Sequence, residues 1–370
     1  MPLAPITSPD SPALRELCEE LHQAARQTDA TGDWPAEQLR LCGEAGVYRW
    51  FLPETSASQD GGGYGWDNES VVRGYLALSG ACLATTFVIT QRTAACRRIA
   101  LCGNDALKQR LLPELASGTT FATVGISHLT TSGRHLATPR LAAERTDGRW
   151  RLNGVAPWVT GGVAADTLVV GATVVADGAP SRDEVMFALP ADTAGITATA
   201  PFQLVALSAS KTGAVKFDNV LVDDEWLMAG PIEQVLPSLG RKSSTGGHET
   251  STLAIGLAGA ATDYLQEEAS KRPDLAEASA SLAAEHDELV ADLIAFARGE
   301  AVCTNESLRT RANSHVLRST QAALAAAKGA GYVAGHPVGR WCREALFFMV
   351  WSCPQPVMEA NLCELAGIAE

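Results

Sequence analysis

The chain has 370 residues, a hydrophobic content of 46% and a formal net charge of −13 at pH 7. A chain of this length usually has more than one hydrophobic core, so two or three domains are expected. The acidic balance, with no run of Lys or Arg, argues against a nucleic-acid surface. Because no apolar run approaches ~20 residues and the histidines lack ligand-like spacing, neither a membrane span nor a metal site is expected.

The cysteines indicate a reducing compartment. Nine are scattered along the chain, and none forms a Cys-x-x-Cys pair. An odd number of cysteines without a recognisable signal peptide indicates free thiols, and hence a cytoplasmic protein.

Helix signals fill the first 120 residues. Ser11-Pro12 is a strong helix start, because serine caps a first turn and proline fits the first helical position. That helix is expected to reach about residue 27. Further helical patterns cover residues 35–46, 68–101 and 104–112, and Pro113 is expected to stop the last of them.

A β unit follows at residues 121–230. Short apolar runs predict strands at residues 149–152, 167–170, 184–189 and 213–217. Asp147-Gly148 and Asn153-Gly154 are predicted as hairpin turns, because these residue types accept positive φ at low cost. The sheet is therefore expected to be antiparallel. A planar cofactor would lie most naturally where it meets the helices that follow.

Helical patterns return after a polar linker at residues 231–247. They predict helices at 248–271, 276–299, 307–327, 340–351 and 357–365. The predicted fold class is mainly α with an inserted β domain. The predicted domains are an N-terminal helical domain (1–120), a central antiparallel β domain (121–230) and a C-terminal helical bundle (231–370).

Five groups of short motifs follow one another along the chain. They are Gly32-Asp33-Trp34-Pro35 with Glu44-Ala45-Gly46, Gly103-Asn104-Asp105 with Leu112-Pro113, Trp158-Val159-Thr160, Ser210-x-Thr212 with Phe217-Asp218-Asn219-Val220, and Gly329-Ala330-Gly331-Tyr332 with Arg343-Glu344. In this order and spacing they make nearly the whole chain resemble the acyl-CoA dehydrogenase family. The resemblance implies that family's three-part fold, with a C-terminal four-helix bundle.

The resemblance also implies FAD between the β domain and the C-terminal helices. It places Trp158 on the isoalloxazine and the Thr160 hydroxyl at the flavin edge. It lets the backbone at Gly329 and Gly331 approach the cofactor closely. Arg272 stands where the family has an arginine beside the FAD pyrophosphate of a neighbouring subunit.

Several positions depart from the family's cofactor contacts. The first flavin loop becomes Ser127-His128-Leu129-Thr130-Thr131-Ser132-Gly133-Arg134, without its usual acidic residues. In this loop Ser127 and Ser132 remain as hydroxyl contacts for the cofactor, whereas His128 is expected to be structural. Leu275 and Ala325 replace a phenylalanine and a glutamine, so the choice between FAD and FMN stays open.

The largest departure concerns the catalytic base. Dehydrogenation of an acyl thioester removes the α-proton, which needs a desolvated carboxylate over the substrate. The family's Tyr-Glu-Gly-Thr becomes Trp351-Ser352-Cys353-Pro354, so Ser352 occupies the glutamate position. Neither the Ser352 alcohol nor the Cys353 thiol is a strong base at neutral pH. Some family members place the glutamate at the start of the first C-terminal helix, where this chain has Glu249.

Three functions stay open at this point. The first is a flavin-dependent acyl-CoA dehydrogenase, with hydride transfer to FAD and a relocated base. The second is a flavin-dependent monooxygenase using reduced flavin and oxygen, because such relatives lack the glutamate. The third is a non-catalytic homologue. The resemblance implies an acyl-CoA or other acyl-thioester substrate, an electron-transfer partner or flavin reductase, and a homodimer or homotetramer.

Overall fold

The structure is a computed structural model that describes residues 4–52, 62–130, 138–240 and 248–368. The helices in these ranges are α1 (Pro12–Thr31), α2 (Ala36–Glu44), α3 (Asn68–Ala81), α4 (Leu83–Leu101), α5 (Asp105–Ser117), α6 (Val235–Ser238), α7 (Glu249–Lys271), α8 (Ala276–Ala297), α9 (Asn305–Gly331), α10 (Pro337–Ala345) and α11 (Gln355–Leu365). The strands are β1 (Ala122–Gly125), β2 (Leu141–Thr146), β3 (Arg149–Val159), β4 (Thr167–Ala176), β5 (Ala179–Pro190), β6 (Ile196–Ala198), β7 (Gly213–Val222) and β8 (Leu227–Glu233). The predicted fold class, helices around an inserted β unit, is confirmed.

The N-terminal helices follow their capping signals with two exceptions. Ser11 caps α1 as predicted, its side chain accepting a hydrogen bond from the Ala13 N–H. The pattern over residues 68–101 forms two helices, because Cys82 adopts an extended backbone between α3 and α4. The predicted stop at Pro113 is wrong, since Pro113 lies inside α5. Beyond it Leu115 and Ala116 are buried, and this packing offsets the hydrogen bond that proline removes.

The sheet runs in the order β6-β7-β3-β2-β4-β5-β8, with β1 paired to β4. The prediction of an antiparallel sheet is wrong for two pairings, because β1–β4 and β2–β4 are parallel. The reason is topological: β4 does not pair with β3, which precedes it, but crosses to the far side of β2. The other pairings are antiparallel, so the sheet is mixed.

One of the two predicted hairpin turns exists. Asp147 and Gly148, with φ of 50° and 79°, join β2 to β3. Asn153-Gly154 instead lies inside β3, at a register shift in its pairing with β7. Gly154 has φ of 130°, and a Cβ there would lie 2.1 Å from the Arg140 carbonyl oxygen. This glycine therefore serves a close backbone approach within a bulge.

The predicted linker at 231–247 is wrong in its first part. Residues to Glu233 complete β8, and α6 follows directly. The buried Val235 anchors this segment, because its N–H donates to the Glu184 carboxylate at 2.9 Å. In the last predicted segments, α10 ends at Ala345 and a 3-10 turn, Leu346–Met349, follows it. The C-terminal block is thus α7, α8 and α9 with the shorter α10 and α11.

One hydrophobic core joins the two ends of the chain. It contains buried residues of α1, α3 and α4 together with residues of α7, α8, α9 and α10. A second core lies between α4, α5 and the sheet, and a third lies within the β unit. The helices that precede and follow the β unit therefore pack as one body, and the sheet borders that body.

Candidate active site

The Trp158-Val159-Thr160 motif forms a platform at the end of β3. The Trp158 indole is 54% exposed and meets Phe202 edge to face, with ring centroids 4.8 Å apart. Directly after the motif, Gly161 turns the chain with φ of 65°, and a Cβ there would lie 2.6 Å from the Trp34 ring. The chain thus presents a broad aromatic face to its surroundings.

A chain of buried hydroxyls lies beside this platform. The Thr160 Oγ1 atom lies 3.1 Å from Thr212 Oγ1, and Thr212 Oγ1 lies 2.8 Å from Ser210 Oγ. The Gly161 N–H donates to the Ser210 carbonyl at 2.9 Å. The Ser210-x-Thr212 motif therefore orients the Thr160 side chain.

The loop after β1 contributes one polar atom and one structural histidine. The Ser127 Oγ is buried and has no hydrogen-bond partner among the described residues. His128 Nε2 lies 2.8 Å from the Gly171 carbonyl oxygen, and burial lowers the pKa of this imidazole. The structural role expected of His128 agrees with this contact. Ser132 lies outside the described residues.

An aromatic cluster leads to the position where the resemblance expects the base. Phe87 of α4 meets Phe347 and Trp351 with centroids 4.8 and 5.0 Å apart, and Phe347 stacks on Trp351 at 4.9 Å. Ser352 follows, exposed, with φ of 47°. No carboxylate occupies this turn, which runs from Trp351 to Pro354.

A buried arginine, which the sequence analysis missed, holds this turn. Arg309 of α9 is 4% exposed and donates to the carbonyl oxygens of Phe348 and Trp351 at 3.1 and 2.9 Å. Its Nε donates to Asn313 Oδ1 at 2.9 Å, and Asn313 donates to Asn361 at 3.0 Å. Burial lowers the pKa of Arg309 to about 10. The available signal was an arginine and an asparagine four residues apart, beside the apolar positions Leu308, Ala312 and Val316 of the same helix.

The three candidate bases, Ser352, Cys353 and Glu249, lie in different environments. Burial raises the pKa of the Cys353 thiol, which makes a thiolate still less available than in water. The Glu249 side chain, at the start of α7, is 40% exposed and lies 3.5 Å from Arg97 of α4. No hydrogen bond or ion pair among the described residues joins Glu249 to Ser352 or to Thr160. Structural contacts therefore leave the choice of base a prediction.

The glycine turn at the end of α9 divides into two kinds of position. A Cβ at Gly331 would lie 2.7 Å from Val338 of α10, so this glycine is required by packing. A Cβ at Gly329 would meet nothing within 4 Å, so the backbone there is open. Arg272 donates to the Ala326 carbonyl at 2.6 Å, next to this turn. Lys328 has φ of 55° and ψ of −147°, a backbone conformation that residues other than glycine rarely adopt.

These features fit a flavin. The exposed indole of Trp158 supplies an apolar face, while the Thr160 hydroxyl is held at its edge. The buried Ser127 Oγ, which lacks a partner in the described part of the chain, supplies a further polar contact.

Comparisons with known proteins agree with the architecture. Residues 12–119 match the sequence model of the acyl-CoA dehydrogenase N-terminal domain. A probable acyl-CoA dehydrogenase of Bacillus subtilis is 27% identical over 66% of this chain, and the match spans 63% of that relative. Glutaryl-CoA dehydrogenase of Desulfococcus multivorans is 25% identical over 92% of this chain and 90% of its own length. A solved glutaryl-CoA dehydrogenase in complex with glutaryl-CoA superposes with a TM-score of 0.78, at 21% identity, over 97% of this chain and 96% of that one.

Within the described ranges, no helix is both long and apolar enough to cross a membrane. The matching domain, the matched relatives and the shared three-part fold lead to one assignment. Residues 12–119 form an acyl-CoA dehydrogenase N-terminal domain, and the chain as a whole is similar to acyl-CoA dehydrogenases in sequence and shares their fold.

Proposed function

We propose that this protein is an FAD-dependent oxidoreductase that carries out α,β-dehydrogenation of an acyl-CoA or other acyl thioester. The observation that carries the proposal is the Trp158 platform with the Thr160 hydroxyl fixed at its edge by Thr212. FAD, when bound, supplies a two-electron acceptor for the hydride of the substrate β-carbon. Trp158 covers one face of the ring and excludes water, while Thr160 and Ser127 offer hydrogen bonds to its polar edge.

The proposed base is Glu249. Its carboxylate starts α7, where the helix dipole favours negative charge, and Arg97 lies 3.5 Å away. The Arg309 network keeps Ser352 and Cys353 in a fixed turn on the proposed substrate side, where they contact the substrate without removing its proton.

A flavin-dependent monooxygenase is the second candidate, and Ser352 favours it. This uncharged residue stands where the family's glutamate would be, and oxygenation needs no base at that position. In that case the protein receives reduced flavin from a reductase, and the residues around Trp158 and Ser352 exclude water from the reaction.

One experiment separates the candidates. Purified protein is titrated with FAD and with FMN, and the oxidised flavin spectrum is followed while acyl-CoA thioesters are added without oxygen. Bleaching of the bound flavin supports dehydrogenation. Oxygen consumption that depends on substrate and supplied reduced flavin, without such bleaching, supports oxygenation. A protein that binds neither flavin contradicts both and leaves the non-catalytic homologue.

Replacing Glu249 tests the base. Glu249→Gln should slow anaerobic flavin reduction about 10²–10⁴-fold, because general-base catalysis contributes on that scale. Flavin affinity should stay unchanged. Glu288→Gln, at an exposed position of α8, is the matched control. An undiminished reduction rate in Glu249→Gln excludes Glu249 as the base.

The assembly proposed is a homodimer or homotetramer in the cytoplasm, passing electrons to a separate partner. Exposed apolar side chains near the C-terminal helices support self-association, among them Tyr332 (88% exposed) and Val350 (77%). Arg272 and the open backbone at Gly329 lie together and suit the phosphates of a cofactor held by a neighbouring copy. Sedimentation equilibrium with and without FAD tests this proposal.

A further inference from the structure

A small cavity lies where four elements meet. Its walls come from α1 (Thr28 and Asp29), from Cys82 before α4, from Ser208 in the 3-10 turn Ser208–Ser210, and from Glu344 of α10. The cavity has room for about one water molecule. Polar groups of Thr28, Asp29, Ser208 and Glu344 line it together with the apolar side chains of Ala25, Ala84, Leu207 and Ala209.

Glu344 is the unusual member of this cavity. It is 3% exposed, and its Oε2 has no hydrogen-bond partner among the described residues. Its Oε1 lies 3.6 Å from the Nε of Arg340, which is too far for a good hydrogen bond. A buried carboxyl oxygen left unpaired is costly, so a donor inside the cavity would stabilise it.

The surrounding charges do not neutralise Glu344 fully. Asp29, on the facing wall, is paired with Arg343 at 2.6 Å, so that arginine is already engaged. Arg340 is the nearest cation, and the Cys82 thiol is the remaining titratable group of the wall. Burial raises the pKa of Glu344 to about 7, with Arg340 opposing the rise and Asp29 adding to it.

One 3-10 turn both lines the cavity and supports the Trp158 platform. Ser208 lines the cavity, while Ser210, at the other end of the 3-10 turn, holds Thr212 and accepts the Gly161 N–H. Leu207 and Lys211, at the two ends of this turn, both have positive φ, so the segment is tight and has few alternative backbone conformations. Glu344 therefore shares a cavity with the turn that supports Thr160.

We propose that the cavity is a buried proton-exchange site, in which an enclosed water donates a hydrogen bond to Glu344. When Glu344 loses its proton, the Ser208–Ser210 turn opens. The proton passes from the carboxyl group to the water and on to solvent, so only O–H bonds break and form and no electron moves. Ionised Glu344 then faces the carboxylate of Asp29 in a small enclosed space. The inference does not rest on flavin binding.

The expected pH dependence follows from the preference of the closed turn for protonated Glu344. An opened turn exposes the carboxyl group, which then titrates near its ordinary pKa of 4.5. Between about pH 5 and pH 7 the open form loses its proton while the closed form keeps it, so opening becomes about tenfold more frequent per pH unit. Above about pH 7 both forms are ionised, and opening levels off.

Hydrogen–deuterium exchange of residues 204–215 tests the proposal in the full chain without added substrate or flavin. Exchange is measured from pH 5.5 to 8.5 and corrected for the intrinsic rate. The wild-type opening equilibrium should rise about tenfold between pH 5.5 and 6.5 and level off near pH 7. Glu344→Gln should abolish this dependence, and Glu288→Gln should retain it. The same pH dependence in Glu344→Gln overturns the proposal.

An infrared titration covers the case in which Glu344→Gln does not fold. The wild-type protein should show a protonated-carboxyl band at pH 6 that disappears by pH 8.5. In Glu344→Asp, with a shorter side chain, that band should titrate at a different pH. A wild-type spectrum without such a band at pH 6 overturns the proposal. Because neither readout uses flavin, their failure is distinguishable from failure of the proposed oxidoreductase function.

Discussion

At the scale of single residues, Ser352 and Lys328 set this chain apart from the pattern that it resembles. Ser352 replaces a carboxylate but keeps a rigid position, because Arg309 binds the carbonyl oxygen of the preceding residue. Lys328 directly precedes the Gly329-Ala330-Gly331 motif and has a backbone conformation suited to glycine. Both residues thus have positive φ, 47° at Ser352 and 55° at Lys328.

The strain at Lys328 gives a stability prediction. Lys328→Gly should raise the free energy of unfolding by about 1 kcal/mol, because glycine adopts this conformation without steric cost. Urea denaturation measures the change. Lys328→Ala is the matched control, because it removes the same charge but keeps a Cβ, and it should bring no such gain. Equal gains in both variants would trace the effect to charge instead of strain.

At the scale of elements, α3 and α7 approach each other closely at Gly256. A Cβ at Gly256 would lie 2.0 Å from Ser79 Oγ and 2.6 Å from the Leu76 carbonyl oxygen. A glycine at this position permits either entry of an acyl chain or close helix packing. At Gly256 the structure shows packing, since the backbones of the two helices touch.

Enlarging this glycine tests the contact. Gly256→Ala should lower the free energy of unfolding by about 1–3 kcal/mol, because overpacking forces α3 and α7 apart. Thermal or urea unfolding measures the loss. Gly103→Ala is the control, since a Cβ at Gly103 meets nothing within 4 Å. A neutral Gly256→Ala variant would contradict the close approach of these helices.

At the scale of the whole molecule, a buried histidine makes stability depend on acid pH. His315 of α9 is fully buried and stacks on His286 with centroids 5.6 Å apart. Burial lowers the pKa of His315 to about 4, although Glu285 acts in the opposite direction. The neutral imidazole is thus the form that the fold prefers.

The pH prediction follows from this preference. The unfolded chain takes up a proton on His315 near pH 6.5, whereas the folded chain resists it until about pH 4. The contribution of His315 to the free energy of unfolding is therefore complete above about pH 6.5. It is lost as pH falls toward 4, by ~1.4 kcal/mol per pH unit at most. Urea unfolding of wild type and His315→Gln from pH 4 to 7 should show a steeper slope in wild type, because the buried His286 and His128 keep their own, smaller contributions in the variant. His22→Gln, an exposed change on α1, should keep the slope; its loss there would contradict the assignment.

A structural feature can be predicted from the sequence when neighbouring residues determine it, and cannot when it depends on residues far away in the chain. The Ser11 cap and the Asp147-Gly148 turn are read from neighbouring residues and hold in the structure. The crossing of β4 past β2 and the bonds of Arg309 to a turn about 40 residues away depend on distant partners, and no local pattern contains them. Pro113 shows the same limit, because tertiary packing overrides its local signal.

The core shared by the two ends of the chain has a consequence for synthesis. The strands are contiguous in sequence and enclose a core of their own, so the β unit can fold soon after it leaves the ribosome. The apolar faces of α1, α3 and α4 must wait for α7 to α10, which are made after the β unit. During this interval they are exposed, and chaperone binding to nascent chains is expected to concentrate on the first hundred residues.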